Sequence, residues 1–102
     1  LANFWNESFL QKMRDKWLKS IAYAEYVMNG VNYKADIQQK KIVGDTIEVY
    51  VVIDHSVQGT NTITKIRLYD TDGTIAGERN ENIVKSSTQG VLIKFEFPLK
   101  EV

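Results

Sequence analysis

The chain has 102 residues, enough for one domain and one modest core, and its hydrophobic (43%) and charged (25%) fractions are those of an ordinary globular protein rather than a disordered one. Thirteen basic residues balance thirteen acidic ones, so it lacks the basic excess that nucleic-acid binders use against phosphate, and it carries little net charge to oppose self-association. The absence of cysteine excludes disulfides, thiolate metal sites and cysteine nucleophiles, and no apolar run approaches the roughly 20 residues that span a bilayer. No signal-peptide pattern is read at its start.

In chain order, residues 6–20 read as an amphipathic helix. Leu10, Met13, Trp17 and Ile21 recur on one face of a 3.6-residue period, and Phe9 widens it. That face is the expected core side. Gln11, Lys12, Asp15, Lys16 and Lys19 suit solvent, with Asn6 as N-cap and Glu7 in the first turn.

Residues 21–28 are rich in aromatic and β-branched types and run directly into Asn29-Gly30, the strongest two-residue hairpin cue. A return strand over about 31–41 follows. The competing reading carries the helix to Met28 and uses Gly30 as its C-cap. If 21–28 is a strand, Ala22, Ala24, Tyr26 and Met28 share one face and Ile21, Tyr23, Glu25 and Val27 the other.

Gly44-Asp45 turns into the clearest strand, 46–53, where Ile47, Val49, Val51 and Ile53 alternate with Glu48, Tyr50 and Val52. A polar loop, 54–61, leads to a strand over 63–69 with Ile66 and Leu68 inward and Lys65, Arg67 and Tyr69 outward. Asp70-Thr71-Asp72-Gly73 is a tight turn into a strand over 74–79. Residues 80–90 are irregular, with a short strand at 83–85. The last strand, 91–99, turns Val91, Ile93, Phe95, Phe97 and Leu99 one way, and Pro98 places its end at an edge.

The expected architecture is therefore α+β and β-rich: one domain over 1–102, with an N-terminal helix (about 6–20) packed on an antiparallel sheet or small β-sandwich of five to seven strands (about 21–99).

Chemistry-bearing patterns are sparse. Asp54-His55-Ser56 holds the only histidine, but neighbours in an extended chain point to opposite faces, so a polar loop is the expectation rather than a triad. Asp70 to Gly73 resembles half a calcium loop, with Glu81 at position 12. Thr74 and Ile75 occupy positions 5 and 6, where a ligand and glycine belong, and a hairpin turn explains the same residues. Gly73, Gly77 and Gly90 match no phosphate loop or dinucleotide fingerprint. Lys34, Lys40 and Lys41 near tyrosines, and the mixed charges Glu78, Arg79 and Glu81, read as solvated faces. The expectation is a non-enzyme with no catalytic residues, cofactor or metal. The candidate interface is aromatic: Trp5, Trp17, Tyr23, Tyr26 and Tyr33.

Asn6-Glu7-Ser8-Phe9-Leu10, the short helix, then Val27-Met28-Asn29-Gly30 with Tyr33, resemble the first half of a family of small proteins from Gram-positive phages and prophages. The segment from Ile63 to Asp70, then Asp72-Gly73, Phe95-Glu96-Phe97 and Glu101-Val102, resembles its second half. Members are of similar length, sit among tail and baseplate genes and are often labelled ketopantoate hydroxymethyltransferase. That enzyme is a metal-dependent TIM barrel, which needs roughly 250 residues. The resemblance implies a structural tail or baseplate component, made in the bacterial host cytoplasm and carried in the virion. It would form a homo-oligomer and contact other tail proteins. The alternative is a host-surface or carbohydrate-binding module that meets a cell-surface glycan through exposed Trp and Tyr.

Overall fold

The computed structural model describes residues 4–54, 59–86 and 88–100. One helix, α1 (Glu7–Ser20), is followed by six strands: β1 (Ile21–Met28), β2 (Val31–Val43), β3 (Thr46–Ile53), β4 (Thr60–Asp70), β5 (Ile75–Ser86) and β6 (Val91–Pro98). All six form a single sheet in the order β5-β4-β1-β2-β3-β6, every neighbouring pair antiparallel. The sheet curls until it is nearly a barrel, so both the α+β class and the helix-on-sheet arrangement hold.

Tight turns set the register. Asn29 (φ 56°) and Gly30 (φ 75°) both take the left-handed conformation of a type I′ hairpin, which pairs Met28 with Val31 and Tyr26 with Tyr33. The strand reading of 21–28 is thus the correct one, and the continued helix is not formed. Gly44-Asp45 joins β2 to β3 in the same two-residue manner. Between β4 and β5, the Asp70 carbonyl accepts from Gly73 N–H, and the Thr74 carbonyl accepts from Asp70 N–H. Asp72 Oδ1 accepts from the Thr74 amide and hydroxyl, so this carboxylate serves the turn.

The concave face holds the core. It is built from Ala24, Tyr26 and Met28 of β1, Ile47, Val49, Val51 and Ile53 of β3, Ile63, Ile66 and Leu68 of β4, and Ile93 and Phe95 of β6. Ile21 is buried too, because the register against β4 slips between Ile21 and Tyr23 and turns the strand start inward. A second slip at Val27/Met28 lets Ile63 and Ile66, three residues apart, both face inward.

Two elements differ from the sequence reading. Residues 75–86 form one continuous strand, not two pieces, although residues 75–80 are exposed throughout. The helix is rotated. Leu10, Arg14 and Leu18 form its sheet-facing row, while Phe9 and Trp17, expected inside, lie in solvent. Arg14 is 2% exposed: its Nε donates to the Leu99 carbonyl at 2.8 Å and its Nη1 to Glu7 Oε1 at 2.7 Å. Together with Gln11 Nε2 donating to the Gly44 carbonyl, this seats α1 at the end of the sheet that carries the β2–β3 turn and the end of β6.

Candidate docking surface on the helix

Phe9, Met13 and Trp17 follow one another along α1 at four-residue spacing, a step that turns only about 40° round the helix axis, and Trp5 precedes them just before the helix begins. They form one row beside, not beneath, the sheet-facing row. Trp5 (48%), Phe9 (40%) and Trp17 (54%) are exposed, and Phe4 next to them more so. The rings are ordered by each other: Trp5 stacks on Phe9 with centroids 4.9 Å apart and meets Phe4 edge-on at 4.7 Å. A hollow of about 360 Å³ runs from Trp5 past Met13 and Trp17 to Pro98 and Leu99. Lys12 and Lys16 border the row, whereas Lys19 is paired with Asp15 at 2.8 Å. An apolar, aromatic strip with a cationic margin is suited to covering by another macromolecule.

The five aromatic residues read from the sequence do not share one surface. Trp17 lies on α1 and Trp5 just before its N-cap, Asn6. Tyr23 is on the convex face of the sheet, stacked on Tyr69 at 4.7 Å with the Lys34 ammonium 4.7 Å from its ring. Tyr26 is inside the barrel, stacked on Tyr33, and its burial raises its phenol above the usual value. Phe9 is exposed and Met13 half-buried in this row, although their periodicity assigned them to the core. The missed signal was that apolar residues span about half of the helix circumference, wider than one packed face needs.

The convex face is organised by cross-strand charge. Lys34, Glu25, Arg67 and Glu78 lie opposite one another across β2, β1, β4 and β5 with alternating sign. Arg67 bridges Glu25 (2.8 Å) and Glu78 (3.0 Å), and the Tyr69 hydroxyl also donates to Glu25. A second group centres on Glu48 of β3, which accepts from the Tyr50 hydroxyl at 2.8 Å and faces Lys94 and Lys41 at 3.5 and 3.9 Å. The Tyr50 hydrogen bond first, then the Lys94 and Lys41 charges, hold the Glu48 carboxyl below its usual value. Its contribution to stability is therefore complete above the unfolded glutamate value, about 4.3. It is lost as pH falls from there through the depressed folded value. Glu48→Gln is expected to flatten the acid side of the stability profile without changing its slope near neutrality, as urea titrations across that range would show.

At the barrel end away from α1, Lys85 is buried with its ammonium on the Ser86 carbonyl at 3.1 Å, and Asn61, opposite it in register, accepts from the Asn29 amide. Among the described residues no three His, Cys, Asp or Glu side chains come together to hold an ion. His55 and Ser56 lie outside the described residues. No described helix is long and apolar enough to cross a membrane, which leaves strand-borne insertion untouched.

No family model, curated protein or solved structure matches the chain significantly. The row on α1 therefore has to be interpreted from its own chemistry.

Proposed function

We propose that the chain is a non-enzymatic structural component of a phage or prophage tail or baseplate, docking through the aromatic row of α1. The observation that carries the docking role is that row: Phe9 and Trp17 exposed on α1, with Trp5 stacked on Phe9 just before the helix, beside a face already used by the sheet. Rigid aromatic side chains give large contact area at small entropic cost and dominate protein interfaces. Zero formal charge lets copies approach without mutual repulsion, which favours a homo-oligomer as well as contacts with other tail proteins. The tail setting rests on the resemblance of residues 6–10, 27–30 with Tyr33, 63–70, 72–73, 95–97 and 101–102 to the phage family, and on this reading the protein is carried in the virion after synthesis in the host cytoplasm.

Sedimentation equilibrium tests the docking role. The wild type is expected to associate with concentration, and the triple variant Trp5→Ser, Phe9→Ser, Trp17→Ser to lose about ten-fold or more in association constant. Its sheet should stay folded. A wild type that remains monomeric at all concentrations and is missing from purified virions by mass spectrometry overturns the proposal. The half-exposed ring of Trp17 also suits stacking on a sugar, the basis of the glycan-binding alternative. Tryptophan fluorescence unchanged by cell-wall saccharides would remove that alternative.

A further inference from the structure

β5 and β6 end the strand order, and five successive antiparallel pairings make them antiparallel to each other. Backbone pairing between them would close the barrel, yet among the described residues no backbone hydrogen bond joins them. Between them lies a cleft of about 260 Å³ lined by Ile66, Leu68, Gly77, Glu78, Arg79, Phe95 and Phe97, the Glu78 carboxylate being paired with Arg67 at 3.0 Å. Past Gly77 it continues into a hollow of about 120 Å³ beneath Trp17, Ile21 and Ala76.

Gly77 keeps this cleft open, and the fold does not ask for a glycine there. Its φ is not in the left-handed region, and a Cβ built on it would meet nothing within 4 Å. In register it lies opposite Leu68, as Arg79 lies opposite Ile66, so both positions face the barrel interior. Inward positions of a small barrel normally carry side chains that fill it. β5 instead supplies no side chain at one and a cation at the other, and glycine within a strand weakens it. The Arg79 guanidinium lies 4.5 Å from the Phe95 ring centroid and donates from Nε to Glu81. An arginine has five N–H donors in a planar fork matched to carboxylate, so its terminal nitrogens can serve an anion at the same time.

We propose that the cleft is a binding site for a slender aliphatic carboxylate, its chain lying along Leu68, Gly77, Phe95 and Phe97 and its carboxylate on Arg79. The volume sits just below the usual small-molecule range of about 300–1,000 Å³, which admits an alkyl chain and disfavours a fused ring system. The cleft is lined by β4, β5 and β6 and meets the helix row only where its far end passes beneath Trp17; it does not depend on the tail assignment.

The test is an amide chemical-shift titration of the whole chain with n-decanoate below its micelle-forming concentration, with n-decanol as the uncharged comparator. Decanoate is expected to move the Leu68, Gly77, Phe95 and Phe97 amides saturably. Gly77→Val should melt no lower than wild type and bind both probes at least about ten-fold more weakly, because its side chain occupies the cleft. Arg79→Gln should weaken decanoate about ten-fold, the worth of a charge-assisted hydrogen bond, and leave decanol unchanged. Shifts confined to Trp5, Phe9 and Trp17, undiminished binding by Gly77→Val, undiminished decanoate binding by Arg79→Gln, or no saturable binding would each overturn the proposal.

Discussion

Replacing Arg14 with alanine is expected to release α1 from the sheet while the sheet stays folded. Arg14 is the only charged residue of the helix that is buried, and it reaches 85 positions along the chain to the Leu99 carbonyl. A buried hydrogen bond to a charged group is worth about 1.5–3 kcal/mol. The alanine variant also loses the packing of the side-chain stem and leaves the Leu99 carbonyl without this donor. What remains on that face is Leu10 and Leu18, both only partly buried. A helix of 14 residues is marginal without tertiary support. Amide exchange over residues 10–20 should accelerate by the corresponding two orders of magnitude, or about 2–3 kcal/mol, with β1 and β3 still protected. Trp17→Ala, by contrast, should change stability by less than about 1 kcal/mol. If Trp17→Ala freed the helix and Arg14→Ala did not, the helix would sit with its aromatic row inward.

That reversal shows where the sequence was legible and where it was not. Period-two alternation in Ile47, Val49, Val51 and Ile53 has one solution, because only one face is continuously apolar, and those four residues are in the core. Asn29-Gly30 was equally decisive, since two adjacent positive φ angles suit few dipeptides. The helix had no such unique solution. Leu10, Met13, Trp17 and Leu10, Arg14, Leu18 are both regular rows on adjacent faces. The choice between them was made by contacts distant in sequence: the Leu99 carbonyl accepts from Arg14, and nothing in the helix's own periodicity announces that partner.

The continuity of the second strand of the β4–β5 hairpin, read as two pieces over 74–79 and 83–85, was hidden for a different reason. Gly77-Glu78-Arg79-Asn80-Glu81-Asn82 has no apolar residue on either face, so it carries no hydrophobic period. It is nonetheless held as a strand by its ladder with β4, from Tyr69 opposite Ile75 to Thr60 opposite Ser86. An edge strand can be polar on both faces because its partner supplies the burial. The same polarity leaves the barrel unsealed at β6, so the cleft at Gly77 follows from the feature that hid the strand's continuity. Neither the curl of the sheet nor the choice between one sheet and a sandwich was visible, because both depend on long-range pairing of β1 with β4 and of β3 with β6.

With Arg14 in place, the core and the helix seated on it should answer as one unit. Ile47 is fully buried on β3, between Ile42 of β2 and Phe97 of β6. Ile47→Ala removes three carbons from a site that strands hold on both sides, so little relaxation can fill the gap. The expected loss is about 3–4 kcal/mol, within the range of buried Ile or Leu truncations. For a domain of this size that lowers the melting temperature by roughly 15 °C. Ile47→Val, one methylene smaller, should cost about 1 kcal/mol. The decisive feature is coincidence. Tryptophan fluorescence on α1 and amide protection in β1, β3 and β4 should all shift to the same lower denaturant midpoint, as one cooperative unit requires. Separate midpoints for β4–β5 and β3–β6 would mean that the seam between β5 and β6 divides the sheet into two independently melting halves. In that case the residues that line the cleft, Leu68 and Phe97 above all, would belong to the weaker boundary of the fold rather than to its single core.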